Sequence, residues 1–166
     1  MILSYNTAEK TIVALNDLIK INNDRIACYE QALGNERSLD ADMKRIFKDV
    51  IAQTNDNKQQ LINKVRSLSR NPKDTVTISG VLHRAWTDLK VTLVGNTRTS
   101  IINFCLYNEE IARHTYEAAL NVTPKMSSDV YDLIANQHKD MKRTYELIKS
   151  YREARHYLSP SLVYFN

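Results

Sequence analysis

The sequence predicts an all-α protein, a four-helix bundle with a short crossover helix between the second and third long helices. Three observations favour this fold. Gly and Pro number only three each among 166 residues, and so few breakers are typical of long helices. Apolar residues recur at alternate steps of three and four, the spacing of one helix face. Turn and capping residues divide these apolar stripes into four long segments and one short one.

The first long helix is predicted from about Asn6 to Leu33. Asn6 and Glu9 have the spacing of a capping box, and Gly34-Asn35 is a typical helix end. Its inward stripe is interrupted near the middle by an asparagine. The stripe consists of Ile12, Leu15, Ile19, Asn22, Ile26, Tyr29 and Leu33.

The second long helix is predicted to begin at Ser38 to Asp40 and to end near Arg70, because Pro72 cannot continue it. A short helix follows over about Ser79–Leu93. The connection of about 26 residues between the long helices fits a crossover better than a hairpin loop. The stripe of the second helix consists of Met43, Phe47, Val50, Thr54, Asn57, Leu61, Val65 and Leu68.

The third long helix is predicted from about Thr97 to Leu120, and the fourth from Ser127 or Ser128 to Arg155. The third helix carries the stripe Ile102, Cys105, Glu109, Ala112, Tyr116 and Ala119. The fourth carries Val130, Ile134, Gln137, Met141, Thr144, Ile148 and Tyr151. We therefore expect a bundle over residues 1–155 and a separate tail over residues 156–166.

Composition narrows the class of protein. The formal net charge of +4 and the pI of about 9.0 are mild, and the basic residues are interleaved with acidic ones, so a nucleic-acid footprint is disfavoured. Cys28 and Cys105 lack metal-binding spacing and are expected to be small core residues. The chain shows neither a signal-peptide pattern nor a membrane span. We expect a cytoplasmic protein with no membrane partner.

Each long helix has one polar interruption near its middle, and in a bundle packed in register these interruptions meet in one layer. The first and third helices also end alike, in Tyr-Glu-Gln-Ala-Leu and Tyr-Glu-Ala-Ala-Leu, which indicates two related helix pairs. The predicted buried polar layer consists of Asn22, Tyr29, Thr54, Asn57, Glu109, Tyr116 and Gln137.

Several of these residues also carry a resemblance to a known family. They are Leu18-Ile19, Asn22, Asp24, Tyr29 and Ala32, then Gly80, Leu82-His83-Arg84, Trp86 and Leu89-Lys90, then Cys105, Glu109 and Tyr116. Over roughly residues 8–153 the chain resembles a bacterial ferritin-like four-helix-bundle family known as a domain of unknown function. The resemblance implies a cytosolic bundle, in some cases associated with stress responses, and no assigned reaction.

The chain departs from the ligand pattern of ferritin-like di-metal proteins, which use a Glu from each of two helices and a Glu-x-x-His from each of the others. Only Glu109 stands as a carboxylate where a ligand is expected, and Asn22 replaces the first-helix Glu. Hard metal ions need several anionic oxygens. We therefore expect a hydrogen-bonded layer without a cofactor or catalysis, in which Glu109 is protonated or multiply hydrogen-bonded. In such a neutral layer Glu109→Gln keeps the fold and changes stability by little more than about 1–2 kcal/mol.

The favoured function is that of a non-catalytic bundle that acts through protein contacts, and two alternatives stay open. An atypical divalent-metal site near Glu109, with Glu110, His114 or Asp140 contributing, would make the chain a metal-binding protein or oxidase. For Glu110 and His114 an exposed pairing four residues apart is the favoured interpretation. The second alternative is that the chain binds nucleic acid.

His83, beside Trp86, is open to two interpretations: a metal ligand or acid-base group, or a half-buried histidine with a hydrogen-bond partner, which is the favoured one. His138 and His156 are predicted to lie on the surface. A homo-oligomer or a protein partner is expected, with the apolar tail from Tyr157 to Phe165 as the contact.

Overall fold

The computed structural model describes residues 2–68, 97–122 and 127–154. No strand occurs in these ranges, so the all-α prediction is confirmed for them. A short 3-10 turn, Glu36–Ser38, links the first two helices. The predicted crossover helix and the tail lie outside the described residues. The four long helices, numbered in chain order, are α1 (Ile2–Leu33), α2 (Ala41–Leu68), α3 (Arg98–Val122) and α4 (Ser128–Ala154).

The start of α1 differs from the sequence prediction. The helix begins at Ile2 and passes through Asn6, so the predicted capping box of Asn6 and Glu9 is wrong. No Gly or Pro precedes Asn6, and asparagine costs a helix interior no more than about 0.7 kcal/mol. The local cap signal is therefore too weak to begin the helix there.

The end of α1 agrees with the prediction. The helix ends at Leu33, and the N–H of Gly34 donates to the carbonyl oxygen of Glu30 at 3.0 Å. A Cβ atom at Gly34 would lie 3.2 Å from the carbonyl oxygen of Gln31, so a larger residue would crowd this turn. The Asn35 side chain also donates to the Gln31 carbonyl oxygen, at 3.0 Å.

Side chains cap two further helices. At the start of α2, Asp40 Oδ1 accepts a hydrogen bond from the N–H of Met43 at 2.9 Å, the geometry of a helix cap. Before α3, the Thr97 hydroxyl accepts from the N–H of Ser100, and the Ser100 hydroxyl accepts from the N–H of Thr97, both at 3.1 Å. Each helix start therefore has partners for amide groups that the helix itself leaves unpaired.

Contacts between the helices fix their directions. Asn22 bonds Tyr116, whereas Cys28 contacts Cys105, so α1 and α3 run antiparallel. α1 also packs against α2, to which the short link of residues 34–40 joins it, so these two form an antiparallel hairpin.

The second pair of helices is arranged in the same way. α3 packs against α4, with only residues 123–127 between them, and they form a second hairpin. Gln137 bonds Asn57, and Lys64 pairs with Asp129, so α2 and α4 run antiparallel.

These directions make α2 and α3 parallel. Arg98 at the start of α3 pairs with Asp40 at the start of α2, with 3.2 Å between Nε and Oδ2. Because α2 has 28 residues, its two ends lie about 42 Å apart. Leu68 and Arg98 therefore lie at opposite ends of an up-down-down-up bundle, as a crossover connection requires.

The apolar core forms two clusters. One contains Cys28, Tyr29, Ala32, Met43, Phe47, Ile102, Cys105 and Ile148, with their neighbours. The other contains Leu15, Leu18, Ile21, Leu61, Ala112, Tyr116, Ile134 and Met141, with theirs. Along α1, α2 and α3 the two clusters are separated by buried polar residues, which form the layer described below. None of the described helices is long and apolar enough to cross a membrane.

The Asp40 cap gives a first test of the fold. We expect Asp40→Ala to lower the free energy of unfolding in urea by about 1–2 kcal/mol, because it removes both the cap and the ion pair with Arg98. Asp40→Asn keeps a capping oxygen and should cost less. The exposed Asp42 provides a control, since Asp42→Ala should change stability by less than about 0.5 kcal/mol. Equal losses for Asp40→Ala and Asp42→Ala would contradict the assignment.

Candidate functional site

A buried ion pair occupies the centre of the polar layer. Arg25 on α1 is 2% exposed and Glu109 on α3 is 1% exposed. Arg25 Nη2 lies 2.8 Å from Glu109 Oε1 and 3.1 Å from Oε2, and Nε lies 3.0 Å from Oε1. Such forked pairing of a guanidinium with a carboxylate is both strong and directional. It joins the two hairpins of the bundle.

Tyr29 completes the surroundings of the Glu109 carboxylate. Its hydroxyl donates to Glu109 Oε1 at 2.7 Å. The ring of Tyr29 packs edge-on against Phe47 of α2, with 5.1 Å between ring centroids. Glu109 Oε1 thus accepts from both a guanidinium and a phenol, and the carboxylate is held from two successive turns of α1.

The layer continues from Arg25 through Asn22 to Tyr116. Arg25 Nη1 approaches Asn22 Oδ1 at 3.5 Å. The Asn22 amide donates to the Tyr116 hydroxyl and to the Leu18 carbonyl oxygen, both at 2.7 Å. Asn22 therefore carries the hydrogen-bond chain from the ion pair across to α3.

Gln137 extends the chain to the remaining two helices. The Tyr116 hydroxyl donates to Gln137 Oε1 at 2.8 Å. Gln137 Nε2 donates to the main-chain carbonyl oxygen of Asn57 at 3.1 Å and to Gln60 Oε1 at 3.2 Å. One connected set of hydrogen bonds thus includes a residue from each of the four helices.

The side chains of Thr54 and Asn57 contribute less to the hydrogen bonds of the layer than the sequence predicts. The Thr54 hydroxyl donates to the carbonyl oxygen of Val50, one turn earlier in its own helix, at 2.6 Å. Asn57 contributes its main-chain carbonyl to the layer. Both residues are buried, but the hydrogen bonds from Gln137 to α2 are accepted by the main-chain carbonyl of Asn57 and by the side chain of Gln60.

Arg25 is the residue that sequence reasoning missed. The predicted stripe passes from Asn22 to Ile26, yet Ile26 is only partly buried. The spacing of Asn22, Arg25 and Tyr29, with steps of three and four, equally defines one helix face. A buried carboxylate needs an opposite charge or several donors, and this requirement could have selected Arg25 as the partner of Glu109.

Burial and charge shift the ionisation of the layer. Burial alone would lower the pKa of Arg25, but the Glu109 carboxylate beside it raises that pKa overall, so Arg25 is charged. Burial raises the pKa of Tyr29 well above its usual value, and the charge of Glu109 adds to this effect. Burial also raises the pKa of Tyr116 to about 12, although the hydrogen bond from Asn22 acts in the opposite direction. Both phenols are therefore neutral near pH 7.

The other candidate metal ligands, Glu110, His114 and Asp140, lie outside the buried polar layer. Glu110 and His114 are on the exposed side of α3, where His114 Nε2 lies 3.9 Å from Glu110 Oε1 and Nδ1 lies 3.2 Å from Glu117 Oε2. Asp140 Oδ1 accepts a hydrogen bond from Arg143 at 3.1 Å. Within residues 2–68, 97–122 and 127–154, no three His, Cys, Asp or Glu side chains converge as metal ligands.

His138 corrects one expectation. It is only 9% exposed, so its predicted surface position is wrong. Its Nε2 lies 3.3 Å from Glu117 Oε1, because the face of α4 that carries it turns toward α3. Burial, together with the charge of Lys142, lowers the pKa of His138. His83 and His156 lie outside the described residues.

The donor set of the layer does not fit a ferritin-type di-metal centre. Such a centre needs several carboxylates around each pair of ions. The layer described here offers Glu109, and its two oxygens already accept from Arg25 and Tyr29. The arrangement is a closed, charge-balanced hydrogen-bond network.

Within the part of the chain that the structure describes, the fold and the layer define the class of protein: an all-α four-helix bundle whose two hairpins are joined through a buried ion pair. The family described as Domain of unknown function (DUF2383) matches this chain over residues 10–122, and the chain belongs to that family. The match contains Arg25, Glu109 and both phenols of the layer, whereas Gln137 lies beyond it. A comparison with curated proteins finds no match.

The ion pair changes the expectation for Glu109→Gln. The substitution leaves the buried Arg25 charge without a counter-charge, and removing one partner of such a pair costs about 3–5 kcal/mol. We therefore expect a loss of that size in the free energy of unfolding at neutral pH, more than the about 1–2 kcal/mol expected for a neutral layer. Chemical denaturation followed by circular dichroism would measure it.

Two further variants control this test. Glu110→Gln, on the neighbouring exposed position, should change stability by less than about 1 kcal/mol. The double variant Arg25→Met with Glu109→Leu removes both charges and should be more stable than Glu109→Gln, because no charge is left buried and unpaired. A double variant less stable than Glu109→Gln would contradict the assigned role of the pair.

Because the pKa values of the two buried phenols are raised, we expect the folded protein to lose stability at alkaline pH. Between the ordinary pKa of 10.0 and about 12, the unfolded chain has lost the Tyr116 proton that the folded chain keeps. The folded state then binds more protons, so its stability falls as pH rises, by up to about 3 kcal/mol for Tyr116. Urea unfolding from about pH 9 to pH 11.5 would measure the slope.

Tyrosine variants separate this effect from general alkaline damage. Tyr116→Phe should show a shallower decline than the natural chain, although it starts from a lower stability. Tyr131→Phe, at a position 47% exposed, should leave the slope unchanged. Identical slopes for all three chains would exclude Tyr116 as the cause.

Proposed function

We propose that this chain is a ferritin-like bundle without a working di-metal centre, and that it acts through protein contacts, with itself or with another chain. The bundle is non-catalytic in this proposal. The cytoplasmic setting and the association with stress responses, both implied by the family resemblance, belong to the proposal as well.

The topology supports the ferritin-like part. The parallel arrangement of α2 and α3 follows from the contact of Arg98 with Asp40 and from the antiparallel contacts of α1 with α3. An up-down-down-up bundle with a long second connection is the topology of ferritin-like folds. The polar layer also lies near the middle of the bundle, where those folds place their ligands.

The observation that carries the proposal is the guanidinium of Arg25 on the carboxylate of Glu109. A di-metal protein balances its carboxylates with metal cations, whereas here one arginine supplies the positive charge. Because Arg25 Nη2 contacts both carboxylate oxygens, an entering ion would first have to displace it. Displacement would leave a buried guanidinium unpaired, which is costly.

Metal binding tests the proposal directly. We expect the protein purified without chelator to contain far less than one iron, manganese or zinc per chain. Addition of Fe(II), Mn(II) or Zn(II) should leave the melting temperature unchanged, since a ligand that binds only the folded state would raise it. Elemental analysis and thermal unfolding give the two readouts.

The contrary result is equally specific. Near-stoichiometric metal, with a rise in melting temperature that Glu109→Gln removes, would overturn the proposal in favour of the atypical metal site near Glu109. A rise removed by His114→Ala and kept in Glu109→Gln would instead place the ion on the outer face of α3. Both variants need comparison with Glu146→Gln, at an exposed position of α4 that belongs to neither candidate site.

Self-association is tested by molecular mass. Light scattering on the full chain should give a mass above that of the 19.2 kDa monomer, and a chain that ends at Arg155 should lose it if residues 156–166 form the contact. A monomer at every concentration would exclude self-association and leave a different protein as the partner.

A further inference from the structure

The chain contains two cysteines, and the fold brings them together. Cys28 on α1 and Cys105 on α3 are 77 residues apart in sequence, and their Sγ atoms lie 4.0 Å apart in the core. Both are free thiols, with exposures of 4% and 0%. Their contact lies between the same two helices that Arg25 and Glu109 join.

We propose that Cys28 and Cys105 form a reversible disulfide, so that the core of the bundle is a thiol modification site. A disulfide needs about 2.05 Å between the sulfur atoms, so the two Sγ atoms must approach each other by about 2 Å. The two Sγ atoms already face each other across the helix contact, so the remaining approach must come from the side-chain torsions and a shift of the helices.

The oxidant is of the hydroperoxide class. A thiolate of one cysteine attacks the outer peroxide oxygen, so that an S–O bond forms, the O–O bond breaks and an alcohol or water leaves. The second sulfur then attacks the resulting sulfenic acid, forming the S–S bond and releasing the oxygen as water. Two thiols and one hydroperoxide thus give one disulfide, one alcohol and one water.

Both thiols are buried, and Cys28 is the one that retains a small exposed area. The reaction in the folded protein is slow. The hydrogen bond with Cys105 and burial raise the pKa of the Cys28 thiol well above its usual value, so little thiolate is present near pH 7. Local opening of the bundle therefore limits the rate.

The product would be a covalent joint between the two hairpins. The disulfide would close a loop that contains all of α2 and the start of α3, and such a closure restricts the unfolded chain. Oxidation would thus add a covalent link beside the Arg25–Glu109 pair, one helical turn away on both helices. The inference is independent of how the bundle contacts its partners.

Hydrogen peroxide is the probe for the experiment. The full chain is incubated with peroxide while folded, then unfolded in urea with N-ethylmaleimide, and its mass is measured. The untreated chain should take up two maleimides. The oxidised chain should take up none, should weigh less than the reduced chain by two hydrogen atoms, and should recover both labels after treatment with dithiothreitol.

Single variants keep the result interpretable. Cys28→Ser and Cys105→Ser, or the corresponding alanine variants where serine impairs folding, should form no such link within the chain. The oxidised natural chain should unfold at a higher urea concentration than the reduced chain, and this gain should be absent from the variants. Circular dichroism should show the same helix content before and after oxidation.

Several outcomes would overturn the proposal. They are two maleimides on the peroxide-treated natural chain, addition of oxygen atoms without loss of hydrogen, a covalent dimer in place of an internal link, and a link that forms only in urea. A lower urea midpoint for the oxidised chain would likewise overturn the assignment of the link to the native contact.

Discussion

Two opposite charges, Arg25 on α1 and Glu109 on α3, lie in a buried polar layer between two apolar clusters of the core. Removing each from water costs several kcal/mol, about as much as a whole domain can spare. The cost is offset only because the guanidinium meets the carboxylate in a forked geometry and Tyr29 donates a further hydrogen bond. A shift of α1 along α3 by one turn would break all of these contacts together. The pair therefore fixes the register between the two hairpins.

Register, more than net stability, is what such a layer supplies. A buried ion pair is often no more stabilising than apolar residues of similar volume. Polar residues within an apolar seam, however, penalise every arrangement in which they lack partners. Here the penalty acts across the whole bundle, because Asn22, Tyr116 and Gln137 extend the hydrogen bonds to α2 and α4. The apolar clusters on either side supply the burial that drives folding.

The same layer bears on function. In ferritin-like bundles the middle of the four helices is where carboxylates hold metal ions. The middle of this four-helix bundle holds one carboxylate, one guanidinium, two phenols and two side-chain amides. The charge of Glu109 is balanced by the covalently attached side chain of Arg25 and not by a metal ion that could be exchanged. This is consistent with the proposal of a bundle that acts through its outer surface. The thiol contact of Cys28 with Cys105 lies one turn from this layer, so a redox change there would act on the joint between the hairpins.

By itself, the sequence determined the four long helices, the buried faces of α2, α3 and α4, and the position of the polar interruptions, because the 3.6-residue period is a local property. The face predicted for α1 is wrong in part, since Ile12, Ile19 and Ile26 are only partly buried. The sequence placed Glu109 and Gln137 in the core correctly. It did not determine that Arg25 joins them, since Arg25 and Ile26 are equally compatible with one helix face. Nor did it determine that His138 is buried or that the two thiols touch. Only the packing of α1 and α4 against α3 decided these points, because a partner 77 or 84 residues away leaves no periodic signal in the chain.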